Sequence, residues 1–599
     1  MSKRVCCEFI ETVGSMDRQP LYFTVLILFI LIGSSFYLSW SVDRGMGEIS
    51  VERLSIETAP GRSIETLIYS PRTANHFEPM PLVLTLHGLT GTKEGMYAFN
   101  VELARRNFTV VSIDLPGHGD STAQFNISDF YTMALYAYVA VRHVQATFDN
   151  INNESYGVLT HSLGFLVANE LKDFPIAPRA YAAVGNVGKL SQDEFVDFPE
   201  NLLFAVGTFD EIVKRQDALQ AIRNATGIDT AVDNVTYGSL DSQTAYRLAF
   251  GPSNHVFEVV DSYLVSEAVS WLVQGVQGES QILHTRNPAD HVYFNKNIAT
   301  IAGSFFLLVS VIPVMWLVYS LLPEKLRPRR IPLHSQSLTL RRTFEISSVL
   351  GASTVIIFVT TLLLGIALED IGVSWLNSMS ATGFILFSIL TSIGLVILMI
   401  LFMGRGNTKK SFDSIGLEKS DIIIHGSDIL KNLIIAGSGI IWLLFWLGLA
   451  GQPTTMQPEI LLVLIKWPVG IRGINTIILT LITIPLFLVE AAWIRGLLLS
   501  DREWTNGFVN TKHMLFTIIS RFAIAGFLTI IVIFWTTGGG IALARIILLG
   551  VIWVRVLLMQ VLATVMMAWT AIKFENTWSA AIVSSFLLAL TVVATLPLI

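Results

Sequence analysis

The chain has 599 residues, of which 52% are hydrophobic and only 14% are charged. Soluble domains carry about a quarter charged residues, so a large part of this chain is expected to face lipid. The net charge of −6 offers no basic surface for a nucleic acid, and that class of partner is excluded. The two cysteines, Cys6 and Cys7, are adjacent near the N-terminus, so the soluble part has to fold without a disulfide.

The first apolar run, residues 21–40, is uncharged and has the ~20 residues that a helix needs to cross a bilayer. A cleaved signal peptide has a shorter apolar core and a small-residue exit, whereas Phe36, Tyr37 and Trp40 close this run. Aromatic side chains at such a position suit a membrane interface. We therefore predict a transmembrane signal anchor, preceded by a cytoplasmic segment at residues 1–20.

The pattern of hydropathy divides the remainder into a soluble-type segment, residues 41–297, and a multi-pass membrane domain, residues 298–599. The membrane domain is expected to contain about eight spans. Their predicted positions are 299–322, 345–368, 381–403, 430–450, 474–494, 514–536, 541–568 and 578–598. The stretch 460–473 contains Lys466, Pro468 and Arg472, which favour an interfacial or re-entrant segment over a full span.

The loop after the second span, residues 323–342, is expected in the cytoplasm, because cationic loops stay on that side. It contains one acid, Glu324, and six cations: Lys325, Arg327, Arg329, Arg330, Arg341 and Arg342. Alternation then places residues 41–297 outside the cytoplasm of a cell-membrane protein with nine spans. All five N-x-S/T sequons agree with this sidedness by lying in that segment, at Asn107, Asn126, Asn153, Asn224 and Asn234.

Short apolar runs that break into glycine or polar turns follow one another between residues 81 and 250. They are PLVLTLHGLTG (81–91), FTVVSIDLPGHGDS (108–121), SYGVLTHSLGFLVANEL (155–171), RAYAAVG (179–185), NLLFAVGTFD (201–210) and TAYRLAF (244–250). A helix-like stretch, MYAFNVELARR, separates the first two runs. Strands that alternate with helices over this length predict a mostly parallel sheet with helices on both faces.

Five motifs occur in the order HGLTG, DLPGHGDS, HSLG, GTFD and a late NH. In this order they resemble the α/β-hydrolase superfamily, and most closely its branch of serine aminopeptidase-like and monoglyceride lipase-like hydrolases. The resemblance covers residues ~50–275 and does not extend into the membrane domain. It implies an α/β-hydrolase fold, a mostly parallel sheet flanked by helices, joined to an all-α polytopic membrane domain.

The resemblance also implies a catalytic triad in the chain order that this fold uses. Ser162 in HSLG would be the nucleophile on a strand-to-helix turn, and His255 in GPSNHVFE would be the general base. Asp210 in GTFD would orient the imidazole and stabilise its cation. The backbone N–H groups of Leu89 and Leu163 would form the oxyanion hole.

Three features depart from the pattern of the family. The position two residues before the nucleophile, usually glycine, is Thr160, whose β-branched side chain is expected to crowd the turn. Phe165 stands where this branch often has a second glycine. Only Asn186 to Glu200 are available for a lid, which is too short for a helical cap. The site is therefore expected to be open, or covered by the membrane or by the transmembrane part.

Other polar residues are alternatives or have simpler explanations. Asp217 and Asp241 compete for the role of the triad acid, although neither ends an apolar strand. His161 and His118 are expected to be structural or turn residues. Arg555 lies near the middle of a predicted span, where a charge faces either a cavity or a partner.

These observations predict a membrane-bound serine hydrolase that cleaves an ester, thioester or amide bond, lipid-derived substrates included, at the extracytoplasmic face. Its partners would be a small-molecule or lipid substrate and membrane lipids; the sequence leaves protein partners open. No cofactor or metal is predicted, since no dinucleotide or phosphate-binding glycine motif and no metal-ligand spacing occurs. Two alternatives stay open: an acyltransferase with the same triad, and a non-catalytic ligand-binding ectodomain of a transporter or receptor.

Overall fold

The computed structural model describes most of the chain. The described residues are 19–72, 79–190, 194–278, 286–329, 340–378, 380–403, 426–451, 459–460, 463–464, 466–494, 518–519, 522–523, 525–526, 541–574 and 576–599. They comprise a nine-stranded sheet with its helices and a set of long apolar helices. The predicted span 514–536 lies almost wholly outside the described residues.

The sheet has the strand order β1-β2-β4-β3-β5-β6-β7-β9-β8. The strands are β1 Ile49–Ala59, β2 Arg62–Pro71, β3 Leu82–Leu86, β4 Thr109–Ile113, β5 Gly157–His161, β6 Ala180–Val184, β7 Leu202–Gly207, β8 Thr236–Tyr237 and β9 Tyr246–Gly251. The six strands from β4 to β9 in this order are parallel, whereas β1, β2 and β8 pair antiparallel at the edges. The predicted mostly parallel sheet is confirmed, and the edge strands β1, β2 and β8 were not predicted.

Both faces of the parallel strands are covered, which explains why they are continuous apolar runs and not alternating ones. Every residue of β3, β4, β6 and β7 is buried. One face of the sheet packs against α2 Tyr97–Ala104 and α6 Ser262–Leu272. The other face packs against α3 Phe130–Thr147, α4 Leu163–Glu170 and α5 Arg215–Thr226.

Eight helices of the described residues are long and apolar enough to cross a membrane. They are α1 Gln19–Asp43, α7 Tyr293–Leu321, α8 Leu340–Asp370, α9 Ala381–Met403, α10 Gly426–Gly451, α11 Ile471–Trp493, α12 Ile541–Phe574 and α13 Trp578–Thr595. The stretch predicted to be interfacial or re-entrant contains the short antiparallel strands Glu459–Ile460 and Val463–Leu464, and α11 begins at its end.

The apolar helices α1 and α7 join the sheet domain through a buried ion pair. Lys296 of α7 donates to Asp43 at the end of α1, with Nζ and Oδ1 2.6 Å apart. The same ammonium lies over the ring of Tyr97 in α2, 4.1 Å from its centroid. Along the pair of helices, Gly303 faces Phe36, and a Cβ at position 303 would lie 2.8 Å from the Phe36 ring. The two helices therefore pack closely where they leave the sheet domain.

We expect Gly164→Ala to destabilise the sheet domain by about 1–3 kcal/mol, because the added methyl overpacks a closed site. A Cβ at position 164 would lie 2.6 Å from the carbonyl oxygen of Leu86 and 3.0 Å from that of His87, which are backbone atoms. The matched control is Gly437→Ala, since that Cβ would meet nothing within 4 Å. Thermal unfolding midpoints measure both variants, and equal midpoints would contradict the expectation.

Candidate active site

The turn between β5 and α4 has a strained backbone at Ser162. Its φ of 52° and ψ of −119° are unusual for a residue with a side chain, and such outliers are found at nucleophile elbows. The Ser162 N–H donates to the carbonyl oxygen of Val184 at 2.8 Å, which ties the turn to β6. Gly88 faces the turn, and a Cβ there would lie 2.9 Å from the Ser162 Cβ. The strain therefore lifts the Ser162 side chain to the carboxyl edge of the sheet.

Thr160 does not prevent this turn. It is buried in β5 and pairs in register with Ala183 of the neighbouring strand. The small residues Ala182 and Ala183 leave the room that the larger side chain needs, and the Thr160 hydroxyl points toward the Ala182 carbonyl oxygen at 3.5 Å. Phe165 is also fully buried, with its ring edge-on to that of Phe204. Both departures from the family pattern are thus accommodated by packing.

The structure brings the three predicted triad residues into one hydrogen-bonded chain. His255 Nε2 lies 2.9 Å from Ser162 Oγ, and His255 Nδ1 lies 2.9 Å from Asp210 Oδ2. The two contacts involve opposite ring nitrogens, as a general base between a nucleophile and an acid requires. Ser162 is half-buried, whereas the side chain of Asp210 is fully buried.

Asp210 is held as a carboxylate by its hydrogen bonds. Its Oδ1 accepts from the backbone N–H groups of Ile212 at 2.6 Å and Val213 at 2.9 Å. Burial by itself raises the pKa of Asp210, but the hydrogen bond and charge of His255 and the Val213 N–H outweigh it and lower the pKa below its ordinary value. The acid is therefore oriented and charged where the imidazolium would form.

Sequence reasoning missed a second acid beside the triad, Glu258. Its Oε1 accepts from the Gly207 N–H, and its Oε2 lies 3.6 Å from both His255 Nδ1 and His161 Nε2. Burial and the neighbouring charge of Asp210 raise the pKa of Glu258 well above its ordinary value. The available signal was its position in GPSNHVFE, three residues after His255.

The predicted oxyanion residues flank Ser162 at the same edge of the sheet. Leu163 begins α4, and Leu89 lies in the loop after β3. Within the described part of the chain, the N–H groups of Leu89 and Leu163 have no protein acceptor. Both are thus available to a ligand, and a helix N-terminus such as that of α4 favours negative charge.

Among the described residues, one group has ligand atoms close enough to hold a metal ion. The atoms of His161, His255 and Glu258 lie within 4.8 Å of one another. His255 already uses both ring nitrogens in the triad, and His161 Nε2 lies 3.1 Å from the His255 carbonyl oxygen. A metal at this position would compete with the proton transfer that the triad geometry provides.

The alternatives for the acid are placed elsewhere. Asp217 pairs with Lys189 at 2.6 Å, and Asp241 is exposed. His118 is buried with its ring 5.1 Å from that of His87, away from the triad contacts. Arg555 donates to the hydroxyl of Thr595 at 2.6 Å inside the membrane part.

The segment predicted to be too short for a lid lacks a helix in its described residues, 186–190 and 194–200. Two apolar side chains remain exposed beside the triad. Phe209, next to Asp210, is 71% exposed, and Phe257, two residues after His255, is 40% exposed. These two exposed rings, neighbours of the triad residues in sequence, are called here the apolar rim.

Residues 81–229 match the family of the α/β hydrolase fold. The match includes β3 to β7 together with Ser162 and Asp210, and His255 lies beyond it. The soluble part of the chain therefore has the α/β hydrolase fold, joined to several long apolar helices that could span a membrane.

Several solved structures are similar to part of the chain. An epoxide hydrolase variant of Vigna radiata is 20% identical with a TM-score of 0.19, the match covering 23% of this chain and 39% of that one. An esterase of Pyrococcus furiosus is 13% identical with a TM-score of 0.29, covering 39% and 95%. A cold-adapted esterase from an Arctic intertidal metagenomic library is 18% identical with a TM-score of 0.28, covering 38% and 95%. No curated protein matches the chain.

Stability is expected to fall as the pH drops from 6.5 towards 4. Burial lowers the pKa of His87 to about 4, and that of His118 and His161 to about 3, so the folded state keeps them neutral. The unfolded chain takes up protons below about pH 6.5, and each such group then costs up to about 1.4 kcal/mol per pH unit.

His118→Gln should therefore weaken this pH dependence, measured as the thermal unfolding midpoint between pH 7 and 4. The same substitution at the exposed His143 is the matched control and should leave the pH dependence unchanged. Parallel curves for His118→Gln and the unsubstituted protein would contradict the expectation.

Proposed function

We propose that the protein is a membrane-bound serine hydrolase that cleaves an ester, thioester or amide bond through an acyl-enzyme. One observation carries the proposal: Ser162 Oγ, His255 and Asp210 form a hydrogen-bonded chain with both contacts at 2.9 Å, on a turn strained at the serine. Strain at one residue, together with a base and an acid in line, is the arrangement that nucleophilic catalysis needs.

The geometry assigns each step to a group. His255 Nε2 takes the Ser162 proton as Oγ attacks the substrate carbonyl, and the N–H groups of Leu89 and Leu163 donate to the resulting oxyanion. His255 then returns the proton to the leaving alcohol, thiol or amine as the acyl bond breaks. Water, deprotonated by the same histidine, releases the acid and restores Ser162.

The apolar rim favours substrates with an apolar group, including lipid-derived ones. Phe209 precedes Asp210, Phe257 follows His255 by two residues, and both rings are exposed to water, which is unfavourable for apolar surface. A lipid or acylated small molecule could bury these rings as it binds, so membrane lipids are the expected source of substrate. Acyl transfer to an alcohol or amine begins with the same acyl-enzyme, and analysis of the products separates it from hydrolysis.

The triad favours catalysis over a domain that only binds a ligand. Thr160 was expected to crowd the nucleophile turn, but it packs beside Ala182 and Ala183 and leaves the elbow intact. The extracytoplasmic position of the hydrolase domain is also part of the proposal. It is supported by the contacts of Lys466, Arg472 and Leu598 with this domain, since alternation of the predicted spans puts these three residues outside.

Ser162→Ala should lower kcat for a p-nitrophenyl ester by about 10⁴-fold or more, because the nucleophile is lost. Asp210→Asn should lower kcat by a similar factor, because the imidazole then takes the wrong tautomer. A fluorophosphonate probe should label the unsubstituted protein and fail to label Ser162→Ala. The matched control is Ser242→Ala, which removes an exposed serine and should change neither readout. Full esterase activity in Ser162→Ala would refute the proposed function.

The orientation can be tested with single cysteines in a background lacking Cys6 and Cys7. A membrane-impermeant maleimide should label Ser55→Cys in intact cells, because this exposed residue belongs to the hydrolase domain. Lys325→Cys, exposed on the cationic loop, should be labelled only after the membrane is permeabilised. The reverse pattern would contradict the orientation.

A further inference from the structure

The membrane part reaches the hydrolase domain at the edge of the sheet where the triad lies. The contact is with residues 114–125, the loop that follows β4, called here the β4 loop. Arg472, at the start of α11, donates through Nη2 to the Gly117 carbonyl oxygen at 2.6 Å. Its Nη1 donates to the carbonyl oxygens of Val593 at 2.6 Å and Leu596 at 2.9 Å. One buried guanidinium thus joins two membrane helices to the β4 loop.

Leu598 pairs with both sides of the same loop. Its N–H donates to the Gly117 carbonyl oxygen at 2.8 Å, and its carbonyl oxygen accepts from the Phe125 N–H at 2.8 Å. Gly117 has a φ of +72°, and a Cβ there would lie 2.5 Å from the Phe125 Cβ. The β4 loop is therefore clamped tightly by backbone hydrogen bonds from the membrane part.

A second cation from the membrane part, Lys466, enters a buried ion cluster beneath the loop. Its Nζ lies 2.8 Å from Asp120 and 3.8 Å from Glu94. The cluster joins three cations, Arg53, Lys93 and Lys466, to four acids, Glu65, Glu94, Asp114 and Asp120. An unpaired buried charge is strongly destabilising, so removal of Lys466 would disturb the position of Asp120 in the β4 loop.

The β4 loop in turn contacts His87, which directly precedes Gly88 and Leu89 in the loop after β3. The Leu115 N–H donates to His87 Nε2 at 3.0 Å, and His87 Nδ1 lies 2.7 Å from the Gly88 carbonyl oxygen. Because Nε2 accepts a hydrogen bond, the proton of the neutral ring is on Nδ1, which donates to Gly88. The Gly88–Leu89 peptide is planar and trans, so the direction of the Gly88 C=O fixes that of the Leu89 N–H.

We propose that Arg472 and Lys466 are positioning residues for catalysis: by fixing the β4 loop they set, through His87, the direction of the Leu89 N–H in the oxyanion hole. The inference rests on the proposed serine hydrolase activity and deepens it. It gives the membrane part a catalytic purpose beyond anchoring. An oxyanion donor contributes to the transition state and little to substrate binding, so kcat is affected more than KM.

The first test compares arginine variants in the full chain, purified in detergent, with kcat expressed per fluorophosphonate-reactive site. Arg472→Gln should lower kcat for a p-nitrophenyl ester by about 10- to 100-fold and change KM by no more than about twofold. The upper limit of the fall in kcat is the effect of losing one oxyanion donor. Arg472→Lys keeps the charge but lacks the fork that reaches three carbonyl groups, so its kcat should be intermediate. The matched control is Arg327→Gln. Arg327 also donates to backbone carbonyl groups, those of Leu322 and Ser320, but it lies just after the C-terminal end of α7. Its kcat should stay unchanged.

The second test is a double-substitution cycle on the ion cluster. Lys466→Met alone removes one of the three cations that contact Asp120, and should lower kcat per reactive site by about tenfold or more, toward the loss of an oxyanion donor. Adding Asp120→Asn removes the carboxylate that Lys466 neutralises, and should recover most of the lost kcat. A purely structural role predicts fewer reactive sites with an unchanged kcat per site.

The outcomes separate this inference from the proposed function. An unchanged kcat per site in Arg472→Gln and Lys466→Met, with Ser162→Ala inactive, overturns the positioning role alone. Equal losses in kcat and in substrate affinity, or no recovery by Asp120→Asn, also overturn it. If Arg472→Gln yields no reactive sites, the kcat of Arg472→Lys and the Lys466→Met, Asp120→Asn cycle decide whether the positioning role holds. Activity retained by Ser162→Ala instead refutes the hydrolase proposal itself.

Discussion

Parallel pairing of six strands is the constraint on which the rest of the structure depends. Because β4, β3, β5, β6, β7 and β9 run in one direction, their carboxyl ends meet along a single edge of the sheet. That edge brings together Ser162 after β5, Asp210 after β7 and His255 after β9, although these residues are far apart in the chain. The loop after β3 brings Leu89 to the same edge, and the loop after β4 brings the contacts with Lys466 and Arg472.

Strain and burial at this edge support each other. The backbone of Ser162 is held at positive φ by its hydrogen bond to Val184 and by the absence of a side chain at Gly88 and Gly164. Sequence alone suggested that Thr160 would crowd the turn, and the alanines opposite it in β6 resolve that conflict. The preference for a small residue two positions before the nucleophile was therefore offset by Ala183, which only strand pairing brings close to Thr160.

The part with the long apolar helices and the sheet domain share buried charges. Lys466 and Arg472 are buried against the β4 loop, where carboxylates and carbonyl groups replace the water that cations otherwise require. This explains why two cations occur between membrane spans in a stretch too polar to cross the bilayer.

The sequence by itself determined the parallel strands and the long apolar helices, and it singled out Ser162, Asp210 and His255, which the structure joins by hydrogen bonds. These are local signals: buried strands are apolar runs, and the elbow and its partners lie in short motifs at strand ends. Only the tertiary structure decided that Glu258 lies beside the triad, that the alanines of β6 make room for Thr160 and that Lys466 and Arg472 reach the β4 loop. These features depend on contacts between residues that are distant in sequence. The sequence around a charged residue does not identify the distant carboxylate or carbonyl group that will pair with it.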